Sequence, residues 1–547
     1  MEFGRWVSLM NKKMNKVLLA FTIFGSVVLI GLAGVYVGGI IYYGNHYLNG
    51  TTINGIDVSG LTYEKLEKKI KGYSIAVFER NKDAQGVFVE KISADDLGIE
   101  VISEKGLRDL MKEQSKLLWF RRTGESYIKE KIISYDEAKL KACVQGLDGL
   151  NEKKAAHPTD AKLSDYKEND GYRIIPETQG NFLVEEKAIK AVEDAVLKLD
   201  KKVDLDKKNC YEKPQIDQGD KDLNNLLNTL NKYVSVKITY NFGENKEVLD
   251  GKTINGWLKI KGNKVTIDSA KVNDYVANLR KKYDTIFRTR TFMTSYGKEI
   301  TLDTGDYGWW MNYTKEQEEL LAQIKEGTSG TRKPEYYQKA ASYGKKDYGN
   351  SYVEINLTAQ HLFVYKDGGM VLETDFCSGN TSRNMGTPEG VYGITYKERY
   401  GVLVGETYES TVAYWMPFNK DIGLHDAIWK NRFGSDFYKT EGSHGCINLP
   451  YNTAKKIYDI VEKGEAVICY KLKGTESDSV TEQDDREIAQ AAIDAIDAIG
   501  KVDKESGDDI KSAEYMYNKI SAAARKYVDN YDVLEKAKKE FKQYKKD

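Results

Sequence analysis

Ser443-His444-Gly445-Cys446-Ile447-Asn448 places a thiol two residues after an imidazole, in a turn that contains glycine. A thiol near neutral pH is mostly protonated, so a working cysteine needs an adjacent base or electropositive surroundings to raise its thiolate fraction. Two of the chain's five histidines are at hand: His444 inside the hexapeptide, and His425 at the head of His425-Asp426-Ala427-Ile428-Trp429. That clustering makes Cys446 the candidate nucleophile. Cys377 and Cys469 have no basic neighbour in sequence, and both read as small buried hydrophobes, the commoner fate of a cysteine. Gly445 stands where a tight turn beside a nucleophile calls for a backbone conformation closed to larger residues.

His425, a spacer and then Ser443 to Asn448 resemble the active-site signature of the L,D-transpeptidases, bacterial peptidoglycan enzymes with a YkuD-type catalytic domain. The resemblance continues through Ser351 to Asp367 (SYVEINLTAQHLFVYKD), the turn Gly386-Thr387-Pro388-Glu389-Gly390 and the closing strand Glu465 to Tyr470, and covers residues 350–472. It implies that Cys446 is the nucleophile and that His425 is the proton donor and acceptor, its ring oriented by Asp426 or a nearby backbone carbonyl. His444 then becomes a secondary site residue that shapes the turn. The N–H groups of Gly445 and Cys446 would form an oxyanion pocket, and Ser443 and Asn448 would hold the loop. Trp429, Tyr414, Asn448 and Asp426 are the candidates for contact with substrate. Tyr414, Trp415, Met416, Phe418 and Trp429 read almost as well as core.

The activity implied is peptidoglycan crosslinking. Cys446 would attack the carbonyl of the third residue of a tetrapeptide stem, release the terminal D-alanine as a thioester forms, and pass the acyl group to a side-chain amine of a neighbouring stem. No metal or organic cofactor is implied. Two alternatives stand beside it: an L,D-carboxypeptidase that uses the same nucleophile with water as acceptor, and a catalytically silent wall-binding scaffold. Sortases and NlpC/P60-type cysteine enzymes fit less well. The former call for a catalytic Arg after a Thr-Cys element, and the latter place their Cys before their His.

The frame is set by 547 residues, 41% of them hydrophobic, with 82 Lys and Arg against 83 Asp and Glu. That length calls for several globular domains, and a net charge of -1 carries no nucleic-acid signature. Five scattered cysteines without a CxxC pair argue against a zinc site or a redox motif.

Val17 to Tyr43 is an uncharged apolar run longer than the roughly 20 residues that cross a bilayer. With Arg5, Lys12, Lys13 and Lys16 before it, the positive-inside rule predicts a cytoplasmic N-terminus (1–16), an uncleaved single-pass anchor (17–43) and a chain facing the cell wall beyond it. The alternative is a cleaved signal peptide, for which the run is long and lacks a small-residue cleavage pattern. Tyr42, Tyr43 and Tyr47 suit an interfacial belt.

The roughly 300 residues between the anchor and the catalytic region hold few prolines and should fold. Thr52 to Thr62 resembles the opening of peptidoglycan-binding modules found ahead of such catalytic domains. Tyr172 to Gly180 with the helical pattern Val184 to Leu199 resembles the end of one. Lys237 to Leu258, and Gly305 to Trp310 followed by helical Lys315 to Lys325, resemble a second copy. We expect α+β modules at 50–212 and 215–340, in which Trp257, Trp309 and Trp310 either stack on glycan or fill the core. Strand patterns at Val353 to Leu357, His361 to Tyr365, Met370 to Phe376 and Val391 to Tyr396, with one helix at Thr453 to Lys463 capped by Asn452 or Thr453, predict a mainly-β catalytic domain at 350–472. Residues 475–547 read as a charged linker and a small helical bundle, a solvated appendage by default. The fold class is therefore mixed: a transmembrane helix, two α+β modules, a mainly-β L,D-transpeptidase-like domain and a helical tail.

Overall fold

The computed structural model describes residues 3–81, 87–114, 116–120, 126–127, 132–405 and 408–544. The ends of the predicted cytoplasmic segment (1–2) and of the tail (545–547), and parts of the first predicted module, lie outside the described residues. The chain divides into two compact units, Met1–Asp165 with Tyr172–Leu227, and Tyr166–Gly171 with Asn228–Asp547.

The first unit opens with the helix Phe3–Tyr42. Within it, Arg5–Tyr42 contains an 18-residue window of mean hydropathy 2.4, and the helix is long and apolar enough to cross a membrane. The helix begins well before the predicted Val17 because charged residues interrupt apolarity without interrupting helicity. Tyr47 departs from the predicted interfacial belt, since it is fully buried and its hydroxyl donates to the Leu107 carbonyl at 2.8 Å. Beyond it the unit is α+β. Ser74–Arg80 lies between Val87–Ser93 (antiparallel) and Lys202–Asp204 (parallel). The helix Glu185–Leu197 buries Ala188, Ala191, Val192, Ala195 and Val196, the face its 3.6-residue period predicts. Thr62 caps the helix Tyr63–Lys71, its hydroxyl accepting the Lys65 N–H.

In the second unit the hairpin Ile238–Phe242/Asn245–Leu249 turns through Gly243 at φ +67° and adds Gly330–Arg332 as a parallel strand. The helices Ser269–Tyr283 and Tyr313–Glu326 pack with it around a shared core. That core takes Trp257, while Trp309 is buried flat on Tyr343, its ring nitrogen donating to the Ser342 carbonyl. Trp310 alone of the three is exposed, beside Tyr337.

Residues from 350 onward build two sheets. The first has strands β1 (Tyr352–Asn356), β2 (His361–Lys366), β3 (Gly369–Asp375) and β4 (Gly390–Gly393). The second is formed by β5 (Glu398–Gly405), β6 (Tyr408–Asn419) and β7 (Ile422–Asp426). After β8 (Arg432–Gly434), strand β9 (Ile447–Leu449) returns to the second sheet and β10 (Ala466–Tyr470) to the first. The orders are β3-β2-β1-β10-β4 and β5-β6-β7-β9. Apolar residues of both sheets (Val353, Leu362, Met416, Leu424, Ile447) join one core with helix α1 (Tyr451–Ile460). Such a sheet pair is the mainly-β arrangement its alternating strands predict.

Two details differ from expectation. Helix α1 starts after Pro450 with no side-chain cap of its own; its Tyr451 and Asn452 N–H groups donate instead to Gln483 and Glu487. Nor is the tail a solvated appendage. It adds strand β11 (Val480–Glu482), paired antiparallel to β8, and helices α2 (Asp485–Ala498), α3 (Gly507–Lys519) and α4 (Tyr531–Tyr544). Ile488, Ala489, Ala492 and Ile496 of α2 belong to the same core as the sheets.

Candidate active site

Strands β7 and β9 run parallel with His425 opposite Asn448. Cys446 precedes that partner by two residues, so strand alternation puts its side chain on the face of the sheet that carries His425. Both border one cavity of about 640 Å³, together with Ser443, His444, Asn448 and Trp429. Its charged rim is Lys430, Arg432 and Glu441.

His425 is 2% exposed and its Nδ1 lies 2.8 Å from the carbonyl oxygen of Asp426. A carbonyl oxygen only accepts, so Nδ1 carries the proton and Nε2 keeps its lone pair. Burial pushes the imidazole pKa down to about 4. The Cys446 thiol is pushed up to about 11, again by burial, against the smaller opposite effect of the Gly423 N–H. Its Sγ is 3.6 Å from the Asp421 carbonyl oxygen, to which a protonated thiol can donate. At neutral pH both groups are therefore uncharged, and the pair is a thiol facing a neutral base rather than a preformed thiolate–imidazolium pair. The rings of Trp415 and Trp429 lie 5.7 and 6.0 Å from the imidazole.

The turn itself is tied at each residue. Ser443 Oγ donates to the Cys446 carbonyl at 2.7 Å and accepts the Gly445 N–H at 3.0 Å. Gly445 has φ +130°, and a Cβ there would stand 2.9 Å from Ile422 Cδ1. From the glycine-proline turn, Thr387 donates its hydroxyl to the Gly445 carbonyl at 2.7 Å and accepts the Gly379 N–H at 3.1 Å. Asn448 exchanges both backbone hydrogen bonds with Cys377, each at 3.0 Å. The residue lines the cavity, and its buried side-chain oxygen has no hydrogen-bond partner among the described residues.

Six expected residues thus meet at one cavity: His425, Ser443, His444, Cys446, Asn448 and Trp429. Two do not. Tyr414 is 1% exposed, its ring packed on Tyr451 and Tyr458 and under Arg399, because β6 turns position 414 to the core. Asp426 follows His425 in a strand, so its carboxyl points the other way. It accepts the Tyr414 N–H at 2.8 Å, and burial pushes its pKa up to about 7. The carbonyl of Asp426, not its carboxyl, is what holds the imidazole. The Gly445 N–H, expected in an oxyanion pocket, is committed to Ser443 Oγ. Thr387 escaped the reading although its turn was picked out; a hydroxyl in a Gly-Thr-Pro turn does not say which distant carbonyl it serves. Among the described residues no group of His, Cys, Asp or Glu is arranged to hold a metal ion.

Comparison with known proteins places two family models on the chain: the L,D-transpeptidase catalytic domain (YkuD) at residues 350–469, and a peptidoglycan binding domain at residues 219–333. The crystal structure of a cysteine-to-serine mutant of Enterococcus faecium L,D-transpeptidase is 34% identical over 46% of this chain and 100% of that one, with a TM-score of 0.38. The NMR structure of the catalytic domain from E. faecium L,D-transpeptidase is 42% identical over 22% and 97% of the two chains (TM-score 0.21). The ertapenem-acylated form of that catalytic domain is 41% identical over 22% and 98% (TM-score 0.21). No curated protein matches the chain.

Proposed function

This chain belongs to the L,D-transpeptidase family, and on that premise we propose that it crosslinks peptidoglycan through third residues of stem peptides, with Cys446 as nucleophile and His425 as the group that moves the protons. The observation that carries the reading is the shared cavity in which a neutral thiol sits with an imidazole whose tautomer a backbone carbonyl sets. As Sγ attacks the carbonyl carbon of the third stem residue, His425 Nε2 takes the thiol proton. The tetrahedral intermediate collapses to a thioester, and the proton leaves with the D-alanine amine. A neutral side-chain amine of a second stem then attacks the thioester carbonyl and loses its proton to His425, which returns it to the departing sulfur. Holding both partners neutral avoids placing a charge pair in a buried site before substrate arrives.

Asn448 lines the cavity with its side-chain oxygen buried and unpaired, so a stem N–H would reach that oxygen only after the amide turns toward the cavity. Tyr414 and Asp426 leave the substrate set. Exposed Trp310, in the matched binding domain, lies beside Tyr337 just past its end and makes with it an aromatic pair available to a sugar face. The N-terminal helix, with Arg5, Lys12, Lys13 and Lys16 in its first half, would hold the protein in the membrane with its domains toward the wall.

The test is mass spectrometry of disaccharide-tetrapeptides incubated with the full chain in detergent. Dimers joined through third residues are expected. Tripeptide monomers alone would make the enzyme a carboxypeptidase, and unchanged stems would end the enzymatic reading. Crosslinking that persists in Cys446→Ala would remove Cys446 from the mechanism.

A further inference from the structure

The loop 427–431 supplies Trp429, Lys430 and Asn431 to the cavity wall, immediately after His425. Within the catalytic domain the loop is held by the Ala427 N–H on the Leu449 carbonyl at 3.0 Å and by Lys430 Nζ on the Glu441 carbonyl at 2.7 Å. Further bonds reach it from beyond the matched domain, which ends at residue 469. Gln483, 3% exposed, lies on the C-terminal extension between β11 and α2. Its Nε2 donates to the Ala427 carbonyl at 2.8 Å and also to the Lys430 carbonyl. Its backbone N–H donates to the Asn431 carbonyl at 3.0 Å. Its Oε1 accepts the Tyr451 N–H at 3.1 Å, capping helix α1. One side chain thus satisfies two loop carbonyls and an uncapped helix start, while β11 pairs Glu482 with Arg432 at the loop's exit.

We propose that Gln483 is a positioning residue for this reaction: the C-terminal extension completes the active site by clamping the 427–431 loop, so that Trp429 and the backbone leading out of His425 stay in the geometry stem acylation needs. This rests on the transpeptidase reading for its chemistry, though the clamp is a property of the fold. A carboxamide is required because the site presents two acceptors and one donor to a single group, and only Gln or Asn carries two N–H donors and an acceptor oxygen on one terminal group. The extension is then a working part of the catalytic unit rather than an appendage to it.

The discriminating substitution is Gln483→Glu, which keeps volume and the acceptor for Tyr451 N–H but turns two donated bonds into repulsion between a carboxylate and two carbonyls. Protonation restores an O–H that can donate to one of them. In the full chain, single-turnover acylation of Gln483→Glu by a tetrapeptide donor should be at least tenfold slower than wild type at pH 8 and recover severalfold toward pH 5, where wild type stays flat. The charged groups lining the adjoining cavity, Arg432, Lys455, Glu482, Asp484, Arg486 and Glu487, are common to both proteins, so the difference between profiles reads position 483. Gln483→Met, apolar and of similar size, should be slow at every pH. A readout independent of activity is hydrogen exchange of the 427–431 amides, expected to quicken at least tenfold in both variants. Unchanged exchange overturns the clamp, and so does a Gln483→Glu profile parallel to wild type. If wild type itself fails to acylate, the transpeptidase reading falls, and the exchange result alone decides whether Gln483 holds the loop.

Discussion

At the scale of the residue, the informative quantity is the gap between an imidazole pushed down to about 4 and a thiol pushed up to about 11. Acylation of the free enzyme should accordingly have an acid limb near pH 4, where His425 protonates, and stay flat to about pH 9. Single-turnover kinetics with a tetrapeptide donor measures this without the acceptor amine's own titration, and an acid limb at pH 6–7 would argue for a preformed ion pair. Asp426 gives a stability prediction of opposite sign to that of His425. Its folded pKa of about 7 is raised by burial, so the stability it contributes is full below the unfolded value of 3.8 and is lost as pH rises toward 7. Asp426→Asn, uncharged throughout, should match wild type in unfolding free energy below about pH 4 and exceed it at pH 8 by on the order of 2–4 kcal/mol, measured by chemical denaturation. His425 works the other way: its depressed pKa removes stability as pH falls from about 6.5 toward 4. Gly445→Ala should cost about 1–3 kcal/mol, measured by thermal unfolding, and lower acylation much further, because its φ of +130° and the nearby Ile422 leave no room for a methyl group. His425, Cys446 and Trp429 were legible in sequence because chemistry restricts which residue types can stand there. Tyr414 and Asp426 were misplaced by parity. In β6 and β7 the register sets Trp415, not Tyr414, against His425, and a shift of one residue exchanges core for site.

At the scale of the element, the strands of residues 350–472 and the helices of the tail could be read from their periods, and their partners could not. Ile488, Ala492 and Ile496 announce a buried helix face at i, i+4 and i+8, but spacing is silent on what covers it. The cover is the catalytic core itself. Ala492→Asp should therefore lower stability by about 3 kcal/mol or more, with the sheets and the extension melting as one cooperative transition in calorimetry. Two separated transitions would contradict a common core. The strand Val480–Glu482 lay hidden because three residues among charges carry no alternation worth reading, and its pairing with Arg432–Gly434 spans some fifty residues. Helix α1 was predicted with its own cap for the same reason. Local rules look for a side chain nearby in sequence, whereas its donors are met by Gln483 and Glu487.

At the scale of the whole molecule, the chain joins a membrane-length helix, α+β modules and a catalytic domain whose last wall is its own extension. Composition announced several domains, and the apolar run announced the helix. The division of labour between domains needed contacts that only folding brings together. All five cysteines are free, and burial is the leading cause that raises the pKa of each thiol. At pH 7 a thiol near 11 is ionised to only about one part in ten thousand. Peroxide and disulfide both react with thiolate, so the resting protein is kinetically shielded from oxidation without a reductant or a disulfide to guard it. Cys446 should alkylate with iodoacetamide roughly a hundredfold more slowly than free cysteine at pH 7, by quenched-flow and peptide mass spectrometry, given the thiolate dependence of the reaction. On the proposed reading, a thiol that ionises only when a substrate carbonyl is in place would stay unreactive between turnovers: its chemical latency is also its durability.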